Sequence, residues 1–198
     1  MLNPILVIFA YLCGSIPTGV ILSHLFARID IRDYGSHNIG ATNVYRNLGK
    51  KLGILTLIGD VLKGALPVYL ACKLTGVDVW VSLAALAAFL GHLFPVYLKF
   101  SGGKGVATAL GVFLVLAPMA LMVSVLVFVI VLLFFRYVSL SSMVAAVSFP
   151  LFMYIVPHSY PPSYLITALI VGIMIISRHQ ENIKRILNGT ESRVGSKR

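Results

Sequence analysis

Val106–Phe135 reads VATALGVFLVLAPMALMVSVLVFVIVLLFF, thirty residues without one charged side chain. As a single helix it would be about 45 Å long, against roughly 30 Å of bilayer hydrocarbon. One tilted span would divide the basic residues of the chain between the two sides of a membrane. Broken near Ala117-Pro118, the run makes two short helices and puts every Lys and Arg on one side, apart from Lys73 and the intramembrane Lys63. Basic residues accumulate in cytoplasmic loops, so the broken form is expected.

The rest of the chain follows the same pattern. Further spans are expected at Leu2–Leu25, Leu52–Leu74, Val77–Leu98, Tyr137–Val156 and Pro162–Ile176, with polar segments at 28–51 and from Arg178 onward. The expected fold is an all-α polytopic membrane protein: seven transmembrane helices, N-terminus outside, C-terminus in the cytoplasm, residues 1–198 forming one compact domain. The composition agrees: 59% of the 198 residues are hydrophobic and 11% are charged, and the mean hydropathy is +0.95. A soluble domain of this size would expose much of that surface to water. The net charge of +10 then reports topology, and no nucleic-acid partner is expected. Cys13 and Cys72 lie in different spans and read as buried free thiols. The N-terminus lacks a basic region followed by a cleavage site, so the first segment reads as a permanent span.

Two glycine-punctuated segments share the expected cytoplasmic face. Gly102-Gly103-Lys104-Gly105 stands before the apolar run, with Thr108 just inside it. Glycines let backbone N–H groups crowd around an anion, the helix start adds partial positive charge, and the lysine adds a mobile one. The spacing is not that of a Walker A loop. A plain interhelical loop with an interfacial lysine is the competing reading. The other segment runs Gly35-Ser36-His37-Asn38-Ile39-Gly40-Ala41-Thr42-Asn43-Val44-Tyr45-Arg46. Arginine grips phosphate bidentately, and Ser, Thr and Asn supply neutral hydrogen bonds; an ordinary turn-forming loop is the alternative. Together the two segments suit a small phosphorylated ligand.

Asp60 and Lys63, three residues apart inside a span, are expected to form a structural ion pair near its cytoplasmic end, one that could orient Lys104 or Arg46. Ser139, Ser141 and Ser142 open a helix and suit its cap, or a substrate contact. His179 suits proton transfer near neutrality, and Asn182 should share its helix face. His24 and His92 read as packing residues, and His158 falls on the outer side. No nucleophile elbow and no metal-ligand cluster is present, so no metal and no cofactor is expected.

The chain resembles the bacterial acyl-phosphate:glycerol-3-phosphate acyltransferases, the PlsY family, over nearly its whole length. The resemblance rests on Gly14 to Gly19, Gly35-Ser36 through Arg46, Asp60 with Lys63-Gly64 and Pro67, Gly91-His92, Gly102 through Thr108, Tyr137 to Leu140, and His179 with Asn182 and Glu191. His37 stands where the family commonly has glycine, and Ser101 where it commonly has lysine. The resemblance implies transfer of a fatty acyl group from acyl phosphate to the 1-hydroxyl of glycerol 3-phosphate at the bacterial inner membrane, releasing lysophosphatidic acid and inorganic phosphate. It implies that Ser36, Arg46, Lys104, Ser142, His179 and Asn182 carry the chemistry. Gly35, Asn38, Gly40, Thr42, Asn43, Gly102, Gly103, Gly105 and Thr108 would bind phosphate or substrate. The acyl chain would enter from membrane lipid, and a partner enzyme supplying acyl phosphate fits this picture. A leaving group as good as phosphate needs no strong base, so the proton acceptor is either His179 or, as favoured here, a phosphate of the substrates. A transporter of phosphorylated solutes would share the broken helices and intramembrane charges, but it would place its polar groups at the midplane. A non-catalytic membrane scaffold would not need two phosphate-type loops.

Overall fold

The computed structural model describes residues 2–156 and 159–195. Met1, Pro157, His158 and residues 196–198 lie outside the described residues. Every regular element among those described is helical. The chain divides into two compact units, one reaching to Leu116 and one starting at Ala117.

The first unit holds α1 (Leu2–Gly14), α2 (Thr18–Ala27), α3 (Ala41–Leu48), α4 (Lys50–Thr75), α5 (Asp78–Leu93) and α6 (Val106–Leu116). Between α1 and α2 the ladder lapses at Pro17, which has no N–H to donate. The two helices still form one apolar stretch, Leu2–Ala27. Small residues let the helices of this unit touch. A Cβ on Gly14 would strike the Ala88 backbone, and one on Gly91 the Tyr11 carbonyl, so α1 and α5 meet at backbone distance. Gly64 and Gly111 do the same for α4 and α6, lying against the Thr108 and Val61 carbonyls. Close approach of this kind supplies the packing that water cannot drive inside a bilayer.

The second unit holds α7 (Pro118–Phe135), α8 (Val138–Ile155), α9 (Pro162–Ser177) and α10 (Gln180–Leu187). The break expected near Ala117-Pro118 is present: α6 ends at Leu116, and Pro118 opens α7 at a position where its missing N–H costs nothing. Most of α7 faces outward, Leu133 and Phe134 being 74% and 81% exposed, as a lipid-facing helix should be. α10 bends from α9 by 53°.

Among the described residues, five helical stretches are long and apolar enough to cross a membrane, or six if the bent α9–α10 pair counts as one. α6 is the short half of the broken run. Its 11 residues reach about 16 Å, roughly half the hydrocarbon thickness. Cys13 and Cys72 form no disulfide, as expected, and are half-buried rather than buried.

Substituting G64V or G111V should force α4 and α6 apart and lower stability by about 1–3 kcal/mol or more. L133A on the exposed face should leave the thermal midpoint of the detergent-purified protein unchanged.

Candidate active site

The first polar segment folds around one side chain. Asn43, buried at the start of α3, accepts at Oδ1 from the Ser36 N–H and from Asn47 Nδ2, both at 2.9 Å. Its Nδ2 faces the carbonyls of Ile31, Tyr34 and Asn38 at 3.1, 3.0 and 2.9 Å. The substrate contact expected of Asn43 gives way to this role, because its amide is committed to loop backbone. Asn38 likewise spends Oδ1 on the Gly40 N–H. Gly35 has a φ of +62°, with no room for a Cβ between Asn43 and Asn47. His37 takes a φ of 55°, a left-handed conformation that glycine adopts at lower cost. Its Nδ1 lies 2.8 Å from the Arg32 carbonyl. Ser36 and Thr42 stay exposed and Arg46 is half-buried. At the loop entrance Asp30 holds the Arg32 guanidinium at 2.6 Å, and that hydrogen bonding keeps the Asp30 carboxyl down at about 2.

Beneath this loop lies an apolar cluster of Val20, Ile31, Ile39 and Val44. Leu98 packs against the same cluster, and Leu98 closes the short 3-10 turn that leads into the second loop. One apolar floor therefore supports both glycine-rich segments.

In the second loop the glycines serve packing as well as anion access. A Cβ on Gly102 would strike the His92 and Leu93 carbonyls and the Pro95 ring. One on Gly105, at a φ of +80°, would strike Phe89 and Leu93. Gly103 presses on the His92 imidazole. The Gly103 N–H, expected to face a phosphate, donates instead to the His92 carbonyl at 3.1 Å. The first N–H groups of α6, just beyond Gly105, have no partner within the helix and remain suited to an anion.

Behind the loop sits a buried polar cluster. Lys63 Nζ lies 2.9 Å from Asp60 Oδ1 and donates to the Ile16 carbonyl at 2.7 Å, in the gap between α1 and α2. His92 Nδ1 lies 3.8 Å from Asp60 Oδ1 and 3.2 Å from Thr108 Oγ1. Thr108 is fully buried, so the substrate contact expected of it is replaced by this internal one. The ion pair also lies deeper than expected. Asp60 and Lys63 are roughly 15 and 20 Å along a helix that starts at Lys50, near its middle rather than at the Lys50 end. The physical reason is the break in the first span, which presents the Ile16 carbonyl at that depth.

In the second unit Glu191 is the centre. Its Oε1 accepts from Ser139 Oγ at 2.6 Å and from Asn182 Nδ2 at 2.7 Å. Its Oε2 accepts from Arg185 Nε at 2.7 Å. Burial alone would raise the carboxyl, but these three bonds outweigh it and hold Glu191 below its ordinary value. The capping role expected of the serines is not seen. Ser141 and Ser142 donate back to the Tyr137 and Val138 carbonyls, both at 2.8 Å, and α8 has no side-chain cap. His179 is the N-cap of α10, three residues before Asn182, with Nδ1 2.8 Å from the Ile175 carbonyl. Both His179 and Asn182 are buried. His24 is exposed rather than packed, its Nδ1 3.0 Å from the Val20 carbonyl.

A family model described as glycerol-3-phosphate acyltransferase matches residues 4–189. The chain belongs to the glycerol-3-phosphate acyltransferase family. It is 54% identical to the glycerol-3-phosphate acyltransferase of Syntrophotalea carbinolica over 96% of each chain. To that of Aquifex aeolicus it is 48% identical, over 95% of this chain and 97% of the other. A crystal structure of PlsY, an integral membrane glycerol 3-phosphate acyltransferase in its glycerol 3-phosphate form, matches with a TM-score of 0.93 at 46% identity, over 98% of this chain and 96% of that one. The lysophosphatidic acid form of PlsY matches at 0.90 and 45% over the same shares. The PlsY resemblance read from the motifs is thereby shown, and with it an all-helical integral membrane fold.

Within this acyltransferase the sequence reading missed the packing of His92 on the glycine loop, the Asn43–Asn47 pair, and the Ser139–Asn182–Arg185 set around Glu191. Glu191 appears in the sequence only as one of the matching motif residues, and its burial marks the role it plays. E191Q should cost about 1.5–3 kcal/mol, the worth of hydrogen bonds to a charged group. The folded-state carboxyl lies below its ordinary 4.5. Its stabilisation is therefore complete above that value and is lost as pH falls through the folded one; thermal midpoints read from about pH 6 down to about pH 3 should fall less steeply in E191Q. The isosteric N43D should collapse the first loop, because it turns an oxygen toward three carbonyls; limited proteolysis between Arg32 and Lys51 would report it.

Proposed function

We propose that the chain transfers a fatty acyl group from acyl phosphate to the 1-hydroxyl of glycerol 3-phosphate. The observation that carries this reading is the likeness to PlsY in its glycerol 3-phosphate form, 46% identical over 98% of this chain. The substituents on the two glycine-rich segments support it. Arg46 and Lys104, with Gly102, Gly105 and the start of α6, hold phosphate groups, and Ser36 and Thr42 offer neutral hydrogen bonds to the glycerol part. Asn43, Asn38, Gly35, Gly40, Gly103 and Thr108 shape those segments from behind. Ser142, His179 and Asn182 orient the acyl phosphate or the nucleophile.

The reaction needs no covalent intermediate. The hydroxyl oxygen attacks the acyl carbon, the bond from that carbon to the phosphate oxygen breaks, and phosphate leaves with the electron pair. The hydroxyl proton passes to a phosphate oxygen. Catalysis rests on positioning and on stabilising the negative charge that develops on the carbonyl oxygen and the leaving phosphate. Residues 1–198 act as one transmembrane domain with seven helices, N-terminus outside, in the bacterial inner membrane. The positive-inside distribution of Lys and Arg supports that orientation and a cytoplasmic active face.

Lysophosphatidic acid formation by the purified protein should require both acyl phosphate and glycerol 3-phosphate, with release of phosphate, and should not occur with acyl-CoA in place of acyl phosphate. K104A and R46A should each lower kcat/KM about a hundredfold or more. H179Q keeps a hydrogen-bonding group but cannot take the proton at neutral pH, and it should still turn over. A loss as deep as that of K104A would assign the base to His179. Turnover with acyl-CoA alone would overturn the choice of donor.

A further inference from the structure

We propose that His92 is a positioning residue, which sets the register of the Gly102–Gly105 loop and so the affinity for the phosphorylated substrate that the loop holds. The inference rests on the reading of that loop as a phosphate grip. His92 meets the loop in two ways at once. Its carbonyl accepts from the Gly103 N–H at 3.1 Å, and the Nε2 edge of its ring fills the space where a Cβ on Gly103 would lie.

The opposite edge of the ring is fixed from behind. Nδ1 faces Thr108 Oγ1 at 3.2 Å, on the first turn of α6, and Asp60 Oδ1 at 3.8 Å on α4. Asp60 in turn holds Lys63 at 2.9 Å, and Lys63 holds the Ile16 carbonyl at 2.7 Å. The imidazole is 3% exposed and stands between two ends of one short stretch: Gly103 before Lys104, Thr108 after it. A ring so placed fixes Lys104 and the start of α6 from both sides. A buried histidine that served packing alone would have no reason to abut a residue that must be glycine. Displacing a binding group by about 1 Å is enough to cost up to about a hundredfold in rate.

The two ring edges can be separated by substitution. Asparagine at 92 puts a polar atom near the place of Nδ1 and removes the edge that touches Gly103, and alanine removes both. H92N should keep the thermal midpoint of the detergent-purified protein within about 2 °C of wild type, having preserved the tie to Thr108. It should raise KM at least about tenfold for one phosphorylated substrate, the one whose KM K104A raises, with kcat changed less than threefold. G103A should be damaging beside His92 and add nothing further in the H92N background. If the histidine variants do not fold, T108V releases the opposite edge of the ring, the one fixed from behind, and should raise the same KM. A wild-type KM in H92N or T108V, or an additive effect of G103A, would overturn the inference. If instead K104A left both KM values unchanged, the phosphate reading of the loop would fail first, and by a different measurement.

Discussion

Two opposite charges buried in the middle of a hydrophobic helix govern the first unit. Asp60 and Lys63 are 2% and 6% exposed. Either one alone would be expensive in an apolar surround. Together, at 2.9 Å, they stand behind His92, and Lys63 adds a bond to the Ile16 carbonyl where the first span breaks. The gap at Gly14–Pro17, the mid-helix ion pair and the loop at Gly102 are thus parts of one arrangement. Its members come from α1, α4, α5 and α6, and each leaves the next with its polar atoms satisfied.

The glycines illustrate how one residue type answers two demands. In the 102–105 loop their small size suits the approach of an anion to the backbone. They also let that backbone lie on the end of α5, where no side chain fits at Gly102, Gly103 or Gly105. A loop pressed onto a rigid helix end is held in shape before any ligand arrives, which lowers the entropic cost of binding. The Asn43-centred loop reaches the same end by a different route, through side-chain amide bonds to its own carbonyls. Both rest on the cluster that includes Ile31, Val44 and Leu98.

What could be read from the sequence divides along physical lines. Span limits and the break at Pro118 were legible because apolar length and proline chemistry are local properties. The Asp60–Lys63 pair was legible because ionisable residues three apart on a helix meet. Its depth was not, since that depends on a carbonyl more than forty residues away. The roles of Glu191 and Ser139, which meet across 52 residues, were hidden for the same reason. The short helix Ala41–Leu48 is hard to see in the sequence because its eight residues follow glycines and turn-forming Ser and Asn residues, and burial of Val44 with the bonds of Asn43 is what holds it.

The most direct test compares thermal midpoints of D60L, K63M and the double variant D60L/K63M in detergent. A buried pair broken on one side leaves an uncompensated charge, worth about 3–5 kcal/mol, whereas replacing both partners with apolar groups removes that penalty. The double variant should therefore be more stable than the less stable of the two single variants. Losses that simply add across the two sites would contradict the account.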